Sequence, residues 1–145
     1  MNKILIINGP NLNLLHLRDK SQYGDLSLEE ISNDCAEVAK QIGIDLTFIQ
    51  SNIEGEIVEE IHKAIDNYHG IIINPAGYTH TSVAIRDALE LFKGPKIELH
   101  LSNIFKRENF RHYSFISPVV DGIISGLQAN GYTTAILAIN NMIKI

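Results

Sequence analysis

The chain has one cysteine, and its 145 residues contain no excess of basic side chains. A single cysteine cannot form an internal disulfide. Cys35 falls on the apolar side of a predicted helix, which is typical of a small core residue and not of a reactive thiol. The formal net charge of -5 leaves no basic surface for the phosphates of a nucleic acid. We therefore expect neither a disulfide framework nor a nucleic-acid partner.

Targeting and membrane-spanning signals are also missing. Met1 leads directly into a strand pattern, without a basic segment followed by an apolar one, so we expect a cytoplasmic protein without a membrane partner. No linker, low-complexity tract or internal repeat divides the chain, and its 45% hydrophobic and 20% charged composition is typical of a globular protein. These features predict a single domain over residues 1–145.

Motifs for metal binding and for covalent amine catalysis are absent as well. The chain has no H-E-x-x-H motif, no cysteine pair and no carboxylates clustered at ligand spacing, so we predict no metal site. Its lysines fall at strand starts, on helix faces or in loops, away from the strand ends where a Schiff-base lysine would be desolvated. We accordingly predict a reaction without a cofactor.

Apolar segments alternate along the chain in the order of an α/β protein. Ile4 to Ile7 is a continuous apolar run, typical of a parallel strand that is covered on both faces. Further strands are predicted at 44–49, 71–73, 96–102 and 122–125, and helices at about 28–42, 57–68, 82–92 and 132–142. The predicted stops of the first three helices are Gly43, Gly70 and Lys93-Gly94-Pro95. The alternation predicts a flavodoxin-like three-layer sandwich with a five-stranded parallel sheet in the order 2-1-3-4-5.

The long connection after the first strand, residues 8–24, predicts an active-site loop. It combines reactive polar groups with four leucines that we interpret as apolar anchors: Leu12, Leu14, Leu15 and Leu17. In an open parallel sheet, ligands bind outside the carboxyl ends of the strands, where the strand order reverses. Here the reversal falls between the first and third strands. The polar residues at or after the ends of strands one, three and four, which we expect to share one crevice, are Asn11, Arg18, Tyr23, Asn74, His80, His100, Ser102, Arg107 and Arg111.

These side chains together provide the groups of an elimination reaction. Arginines stabilise a phenolate, which makes Tyr23 a candidate base. His100 is a candidate acid, with Glu98 two residues away on the same strand face as its orienting partner. Asn11 and Asn74 offer amide donors for an oxyanion or for hydroxyl groups. The set indicates removal of a proton next to a carbonyl, followed by loss of water.

Each candidate also has a structural interpretation. Tyr23 can be a packing residue, Asn74 a strand-ending turn, and His80 and His100 hydrogen-bonded structural histidines. Their joint position at one edge of the sheet favours the functional interpretation. Two other histidines, on or just after the second helix, are predicted to be structural: His62 and His69.

The local basic cluster consists of Lys106, Arg107 and Arg111, with His112 in the same segment and Glu108 beside it. Three cations in so short a segment suit a small anionic ligand better than a duplex. A solvated loop is the alternative interpretation.

Five ordered motifs resemble a known family. They are NGPNLNLL at 8–15, the spacing of Arg18 to Tyr23-Gly24, NPAGYTHTS at 74–82, ELHLSN at 98–103 and RENFRHYS at 107–114. Over essentially its full length the chain resembles the type II 3-dehydroquinate dehydratases. The resemblance implies conversion of 3-dehydroquinate to 3-dehydroshikimate by trans elimination through an enolate, the third step of the shikimate pathway to chorismate and aromatic amino acids. It also implies that neither a metal nor a Schiff base takes part.

The resemblance also implies roles for individual residues. Tyr23 corresponds to the proton acceptor, His100 to the proton donor for the departing hydroxyl, Arg18 to the transition-state stabiliser, and Asn11 to the residue that helps to hold the water supporting the enolate. The implied substrate-binding set is Asn74, His80, Leu101 and Ser102 through their backbone, Arg111 at the carboxylate, and Asp87 from a neighbouring subunit. A homo-oligomer, a dodecamer built from trimers, is implied as well.

The loop also departs from the family pattern, and two other functions use the same fold. His16 takes the position of a glycine common in the family, and Arg18-Asp19-Lys20 replaces its usual Arg-Glu-Pro, so a different lid geometry is expected.

A flavin or nucleotide binder needs small residues with free N–H groups after the first strand, where this chain has Pro10 and leucines. A phosphorelay receiver needs acidic residues where this chain has Asn8 and Asn74.

Overall fold

The structure, a computed structural model, describes residues 1–143. Five parallel strands form one sheet in the order β2-β1-β3-β4-β5, which confirms the predicted order. The strands are β1 (Lys3–Asn8), β2 (Asp45–Gln50), β3 (Gly70–Asn74), β4 (Lys96–His100) and β5 (Gly122–Ser125). The helices are α1 (Lys20–Tyr23), α2 (Leu28–Ile42), α3 (Glu54–Ala64), α4 (Val83–Leu91) and α5 (Asn130–Ile143).

Helices cover both faces of the sheet and give the molecule its three layers. Ile4 and Ile6 of β1 belong to the core on the side of α2 and α5, whereas Leu5 and Ile7 belong to the core on the side of α3 and α4. All four side chains are buried, as the continuous apolar run predicts. Each contributes about 1.5–3 kcal/mol by its removal from water.

The boundaries of α2 follow from local signals that the sequence displays. The Ser27 hydroxyl accepts a hydrogen bond from the Glu30 backbone N–H, and the Glu30 carboxylate accepts one from the Ser27 N–H. This capping box satisfies two N–H groups that would otherwise lack a partner in the first turn. Gly43 closes the helix at φ +73, where a side chain would be strained. Cys35 is fully buried on this helix, and burial, reinforced by the nearby Asp34, raises the pKa of its thiol to about 12.

The predicted end of the second helix is wrong. α3 ends at Ala64, and Gly70 is the buried first residue of β3. A Cβ at Gly70 would lie 3.0 Å from the Ile139 side chain, so this glycine permits close packing of α5 on the sheet and caps no helix. Tyr68 continues the apolar pattern because it packs against the core from a turn, with its hydroxyl donating to Thr47 Oγ1 at 2.9 Å.

The predicted stop of the third helix does follow its end, but Gly94 acts in another way. α4 ends at Leu91, and Phe92 already has extended backbone. A Cβ at Gly94 would meet the His69 carbonyl oxygen at 2.4 Å, so the glycine is needed for a close approach of two loops. His69 is structural, as predicted, since its Nδ1 accepts a hydrogen bond from the Lys3 N–H at 2.9 Å. Within residues 1–143, no helix is both long and apolar enough to cross a membrane.

Candidate active site

A small cleft opens at the carboxyl ends of the central strands, the location predicted from the strand order. It lies where Asn8 of β1 and Asn74 of β3 end side by side in the sheet register. The residues that line it are Leu12, Arg18, Tyr23, Asn74, Ala76, Gly77, His80, His100, Leu101, Ser102, Ile104, Arg107 and Arg111. Polar and charged side chains that converge in one concave site are typical of small-molecule sites.

Most of the predicted site residues therefore meet in one cleft, although they come from three distant parts of the chain. Two of them do not line it. Asn11 is exposed in a left-handed conformation with φ 70, and its backbone N–H donates to Asn52 Oδ1 at 2.9 Å. Asp87 is exposed on α4. For Asn11 or Asp87 to act at a cleft, the segment that carries it must move, or a neighbouring subunit must bring it there.

The loop after β1 is more regular than a long irregular connection. It contains a 3₁₀ segment, Leu12–Leu17, followed by the single turn of α1. Leu12 and Leu15 are buried and anchor the loop as predicted, but Leu14 and Leu17 are 46% and 72% exposed, so the prediction that they are anchors is wrong. The segment is kinked at Leu14 (φ -113, ψ 30), so the burial of Leu12 and Leu15 does not follow one regular helical repeat.

Tyr23 is held between two arginines. It is 8% exposed, and Arg18 Nη2 donates a hydrogen bond to its hydroxyl oxygen at 2.6 Å. The Arg18 guanidinium carbon lies 4.0 Å from the centre of the ring, and that of Arg107 lies 5.2 Å from it. The bond from Arg18 orients the phenol oxygen, and both guanidinium groups lie within cation–π distance of the ring. Tyr23 is therefore held in a fixed position inside the cleft.

His100 is paired with a buried carboxylate. Its Nε2 donates to Glu98 Oε2 at 2.5 Å, and Glu98 is fully buried. Hydroxyls of Thr79, Ser114 and Ser117 also donate to this carboxylate, at 3.2, 3.0 and 2.6 Å. Burial is the largest influence and raises the pKa of Glu98, but the hydrogen bond and positive charge of His100 and the serine hydroxyls outweigh it, so the pKa is lowered. An ionised Glu98 thus orients the imidazole in the cleft.

The sequence predicted that Glu98 and His100 share one face of β4, but it did not predict which residues cover that face. The face of β4 that Glu98 and His100 share is buried, because residues distant in sequence, both before and after the strand, cover it. The covering hydroxyls of Thr79 and Ser114 lie inside two of the five motifs, NPAGYTHTS and RENFRHYS. Their position in those motifs is the signal that could have identified them.

His80 is held by a backbone carbonyl at the edge of the cleft. Its Nδ1 lies 2.8 Å from the Tyr113 carbonyl oxygen, which accepts a hydrogen bond from it. Burial lowers the pKa of His80, and repulsion from His100 and Arg111 lowers it further. A neutral imidazole with this bond has an unprotonated Nε2, which can accept a hydrogen bond in the cleft without adding positive charge.

Arginines provide the positive charge on one side of the cleft. Arg107 Nη1 donates to Ser102 Oγ at 3.1 Å, and Arg111 is half-buried with its Nε donating to Glu108. Lys106 is exposed and is not among the lining residues. Two of the three predicted cluster members thus face a small-molecule cleft, which suits an anionic group such as a carboxylate.

The backbone beyond β4 is held from the turn between β5 and α5. The carbonyl oxygens of His100 and Leu101 accept hydrogen bonds from the N–H groups of Gly126 and Gln128, at 3.2 and 2.9 Å. The Ser102 carbonyl accepts one from Ser125 Oγ at 3.0 Å. Three consecutive carbonyls are therefore occupied, and the backbone at the cleft is fixed before any ligand binds.

Within residues 1–143, no group of three or more His, Cys, Asp or Glu side chains is arranged to hold a metal ion. The prediction of a reaction without metal is one for the enzyme assay to test.

Known proteins resemble the chain over its length. The family model for dehydroquinase class II matches residues 2–140. A 3-dehydroquinate dehydratase from Legionella pneumophila (strain Corby) is 52% identical over 145 residues, which cover 99% of this chain and 100% of that protein. The crystal structure of the type II dehydroquinase from Butyrivibrio crossotus DSM 2876 is 47% identical with a TM-score of 0.94, covering 96% of this chain and 97% of that one. The corresponding structure from Propionibacterium acnes is 36% identical with a TM-score of 0.92, covering 100% and 98%.

The match includes all five motifs and the elements that carry the cleft, and it confirms the resemblance inferred from the sequence. The chain belongs to the class II dehydroquinase family.

Proposed function

We propose that the chain is a lyase that converts 3-dehydroquinate to 3-dehydroshikimate and water, the third step of the shikimate pathway. We also propose that residues 1–145 form a single domain. One observation carries the proposal. The Arg18–Tyr23 pair and the Glu98–His100 pair face the same cleft, so a base and an acid are available to one small molecule. The activity is the one named for relatives at about half identity, and it matches this chemistry.

In the first step, Tyr23 acts as a phenolate and takes a proton from the carbon next to the substrate carbonyl. The electron pair of that C–H bond moves toward the carbonyl oxygen and forms an enolate. Arg18 stabilises the negative charge, first on the phenolate and then in the transition state. Asn11 would hold the water that supports the enolate oxygen, which requires the loop carrying Asn11 to move toward the cleft when substrate binds.

In the second step, the enolate collapses and the C–O bond to the departing hydroxyl breaks. His100 donates the proton that turns this hydroxyl into water, and the electron pair of the enolate forms the new conjugated double bond. Glu98 keeps the imidazole in place through the bond to Nε2. Atoms and charge balance without an added oxidant or reductant.

The remaining cleft residues would bind the substrate. Arg111, with the backbone of Leu101 and Ser102, would hold the carboxylate, a role that suits a half-buried guanidinium beside a backbone fixed by the β5–α5 turn. Asn74 would bind a hydroxyl group through its amide, and a neutral His80, whose Nδ1–H is donated to Tyr113, would accept a hydrogen bond from a hydroxyl through Nε2.

A phosphorelay receiver has less support. Asn8 occupies the strand end where a receiver needs an exposed carboxylate, and its side chain is fully buried with Nδ2 donating to the Ile49 carbonyl at 2.9 Å. A purified protein that is colourless and shows no nucleotide absorbance would argue against a flavin or nucleotide site.

We also propose that the protein acts in the cytoplasm as a homo-oligomer, a dodecamer built from trimers. Support comes from one face of α4, where Val83, Asp87 and Leu91 recur at intervals of four residues. Val83 and Leu91 are 51% and 54% exposed, which gives Asp87 an apolar surround suited to contact with a second copy. Sedimentation of the purified protein would give the oligomer mass. Mixed oligomers of Asp87→Ala and Tyr23→Phe chains should recover activity if Asp87 acts on a neighbouring subunit.

The test of the activity is a spectroscopic assay of the purified protein with 3-dehydroquinate. We expect the absorbance of the conjugated enone to rise, and we expect borohydride added with substrate to leave the enzyme active, because no Schiff base forms. Absence of turnover would contradict the proposed activity. Inactivation by borohydride would instead contradict the enolate mechanism.

A further inference from the structure

A buried hydrogen-bond chain beneath the cleft joins three elements of the fold. Tyr132 of α5 is fully buried, and its hydroxyl donates to Asn8 Oδ1 at 2.6 Å and accepts from Asn74 Nδ2 at 3.0 Å. Asn8 ends β1 and Asn74 ends β3, and the two are partners in the sheet register. One hydroxyl thus connects both strand ends at the point where the strand order reverses.

Backbone groups at its two ends set the direction of this chain. At one end the Ile49 carbonyl can only accept, so Asn8 Nδ2 faces it at 2.9 Å and Asn8 Oδ1 faces Tyr132. The single hydroxyl proton of Tyr132 must then go to Asn8, which leaves its oxygen to accept from Asn74 Nδ2. At the other end the Ala76 N–H can only donate, and it donates to Asn74 Oδ1 at 3.2 Å.

The two ends therefore agree on one orientation of the Asn74 amide. Three side chains form this hydrogen-bond chain, and of these only the Asn74 side chain belongs to a residue that lines the cleft. Its Nδ2 keeps a second N–H, and its Oδ1 keeps a second lone pair, for a bound molecule. A turn of the amide by 180° would exchange donor and acceptor and would break both bonds.

Resting on the proposed function, we propose that Tyr132 is a positioning residue of the dehydratase site, which fixes the Asn74 amide so that its donor and acceptor face the substrate in one arrangement. Tyr132 itself does not line the cleft and acts only through Asn74. Burial raises the pKa of the Tyr132 hydroxyl more than the Asn74 hydrogen bond lowers it. The hydroxyl therefore keeps its proton over the working pH range, and the direction of the chain does not reverse.

The variant Tyr132→Phe tests the proposal, because it removes the hydroxyl and keeps the buried ring that packs near Phe48. Tyr68→Phe is a matched control, since it removes a tyrosine hydroxyl that donates to Thr47 Oγ1 at 2.9 Å, outside the cleft lining. We expect Tyr132→Phe to lower kcat/KM with 3-dehydroquinate about 10- to 100-fold, the range expected when a buried polar group loses its partner. Tyr68→Phe should change it less than about threefold.

A double variant separates a positioning role from a general loss of structure. If Tyr132 acts through Asn74, Tyr132→Phe should lower kcat/KM no further in an Asn74→Ala background, although it should still lower the unfolding midpoint in urea. An equal fold-loss in both backgrounds would overturn the proposal. So would equal effects of Tyr132→Phe and Tyr68→Phe.

A readout independent of activity distinguishes failure of this inference from failure of the proposed function. In protein labelled with ¹⁵N-asparagine, the side-chain amide signal of Asn74 is identified by its loss in Asn74→Ala. We expect slow hydrogen exchange of this amide in the natural chain and in Tyr68→Phe, and fast exchange in Tyr132→Phe. A protected Asn74 amide in a protein without dehydratase activity would refute the function alone. Unchanged protection in Tyr132→Phe would refute the positioning role alone.

Discussion

The variant Tyr23→Phe removes one oxygen from the proposed base and leaves almost everything else in place. The ring is 8% exposed, so its packing and its contacts with the guanidinium groups of Arg18 and Arg107 persist. Among the described residues 1–143, the hydrogen bond lost is the one that Arg18 Nη2 donates at 2.6 Å, and Arg18 is half-buried and can be rehydrated. We therefore expect the free energy of unfolding to change by no more than about 1 kcal/mol.

The effect on turnover should be far larger. A positioned general base accelerates proton abstraction by about 10²- to 10⁴-fold. At 1.36 kcal/mol for each factor of ten, this corresponds to about 2.7–5.4 kcal/mol of transition-state stabilisation lost in kcat. Substrate binding should change little, because the carboxylate-binding residues proposed above are untouched, and KM should stay within about threefold.

The assay follows enone absorbance over a range of 3-dehydroquinate concentrations, with urea unfolding measured on the same samples. Tyr78→Phe is the control, since the Tyr78 hydroxyl also makes a short bond, to the Asn52 carbonyl at 2.7 Å, but Tyr78 does not line the cleft. If Tyr23→Phe lowers kcat less than about tenfold, or no more than Tyr78→Phe does, Tyr23 is not the base.

Three further predictions concern groups around the cleft. Glu98→Gln should lower the free energy of unfolding by about 2–3 kcal/mol near neutral pH. Because the pKa of Glu98 is lowered in the folded protein, the stabilisation by its carboxylate is present above about pH 4.5 and is lost as the pH falls below that value. The free energy of unfolding of Glu98→Gln, measured in urea, should therefore depend less on pH below about 4.5 than that of the natural chain. His80→Asn should remove a loss of stability that the natural chain shows as pH falls below about 6.5, since the folded protein disfavours the protonated imidazole; a titration identical to that of the natural chain would contradict this. Gly126→Ala should cost about 1–3 kcal/mol and raise KM, because φ is +94 and the new Cβ would lie 2.9 Å from the Asn103 Cβ; a variant with unchanged urea midpoint and KM would refute this.

The parts of the fold that sequence reasoning predicted are those controlled by neighbouring residues. The limits of α2 follow from Ser27, Glu30 and Gly43, all of which act within a few positions. The end of α3 could not be inferred, because Tyr68 keeps an apolar period in a turn that only the folded core stabilises. Periodicity reports which side of a segment is buried, and it cannot distinguish a helix from a turn that buries the same side.

The site was predictable to the extent that strand order alone brings residues together. Parallel strands end at one edge, so Asn74 and His100 were expected to meet once the order 2-1-3-4-5 was inferred. Tyr23 lies beyond β1, at the end of α1, and reaches the cleft through the intervening loop. The burial of Glu98 depends on Ser117, 19 positions away. Tyr132 lies 58 and 124 positions from its two partners, and no local pattern indicates such pairings.

The buried Tyr132 hydroxyl also has a consequence for the order in which the enzyme becomes active. Asn8 and Asn74 both precede Tyr132 in the chain, so their amides have no shared partner until α5 docks. Contacts between such distant residues form late, since a long loop must close first. Full catalytic competence would therefore require docked α5, and activity regained during refolding would report that docking.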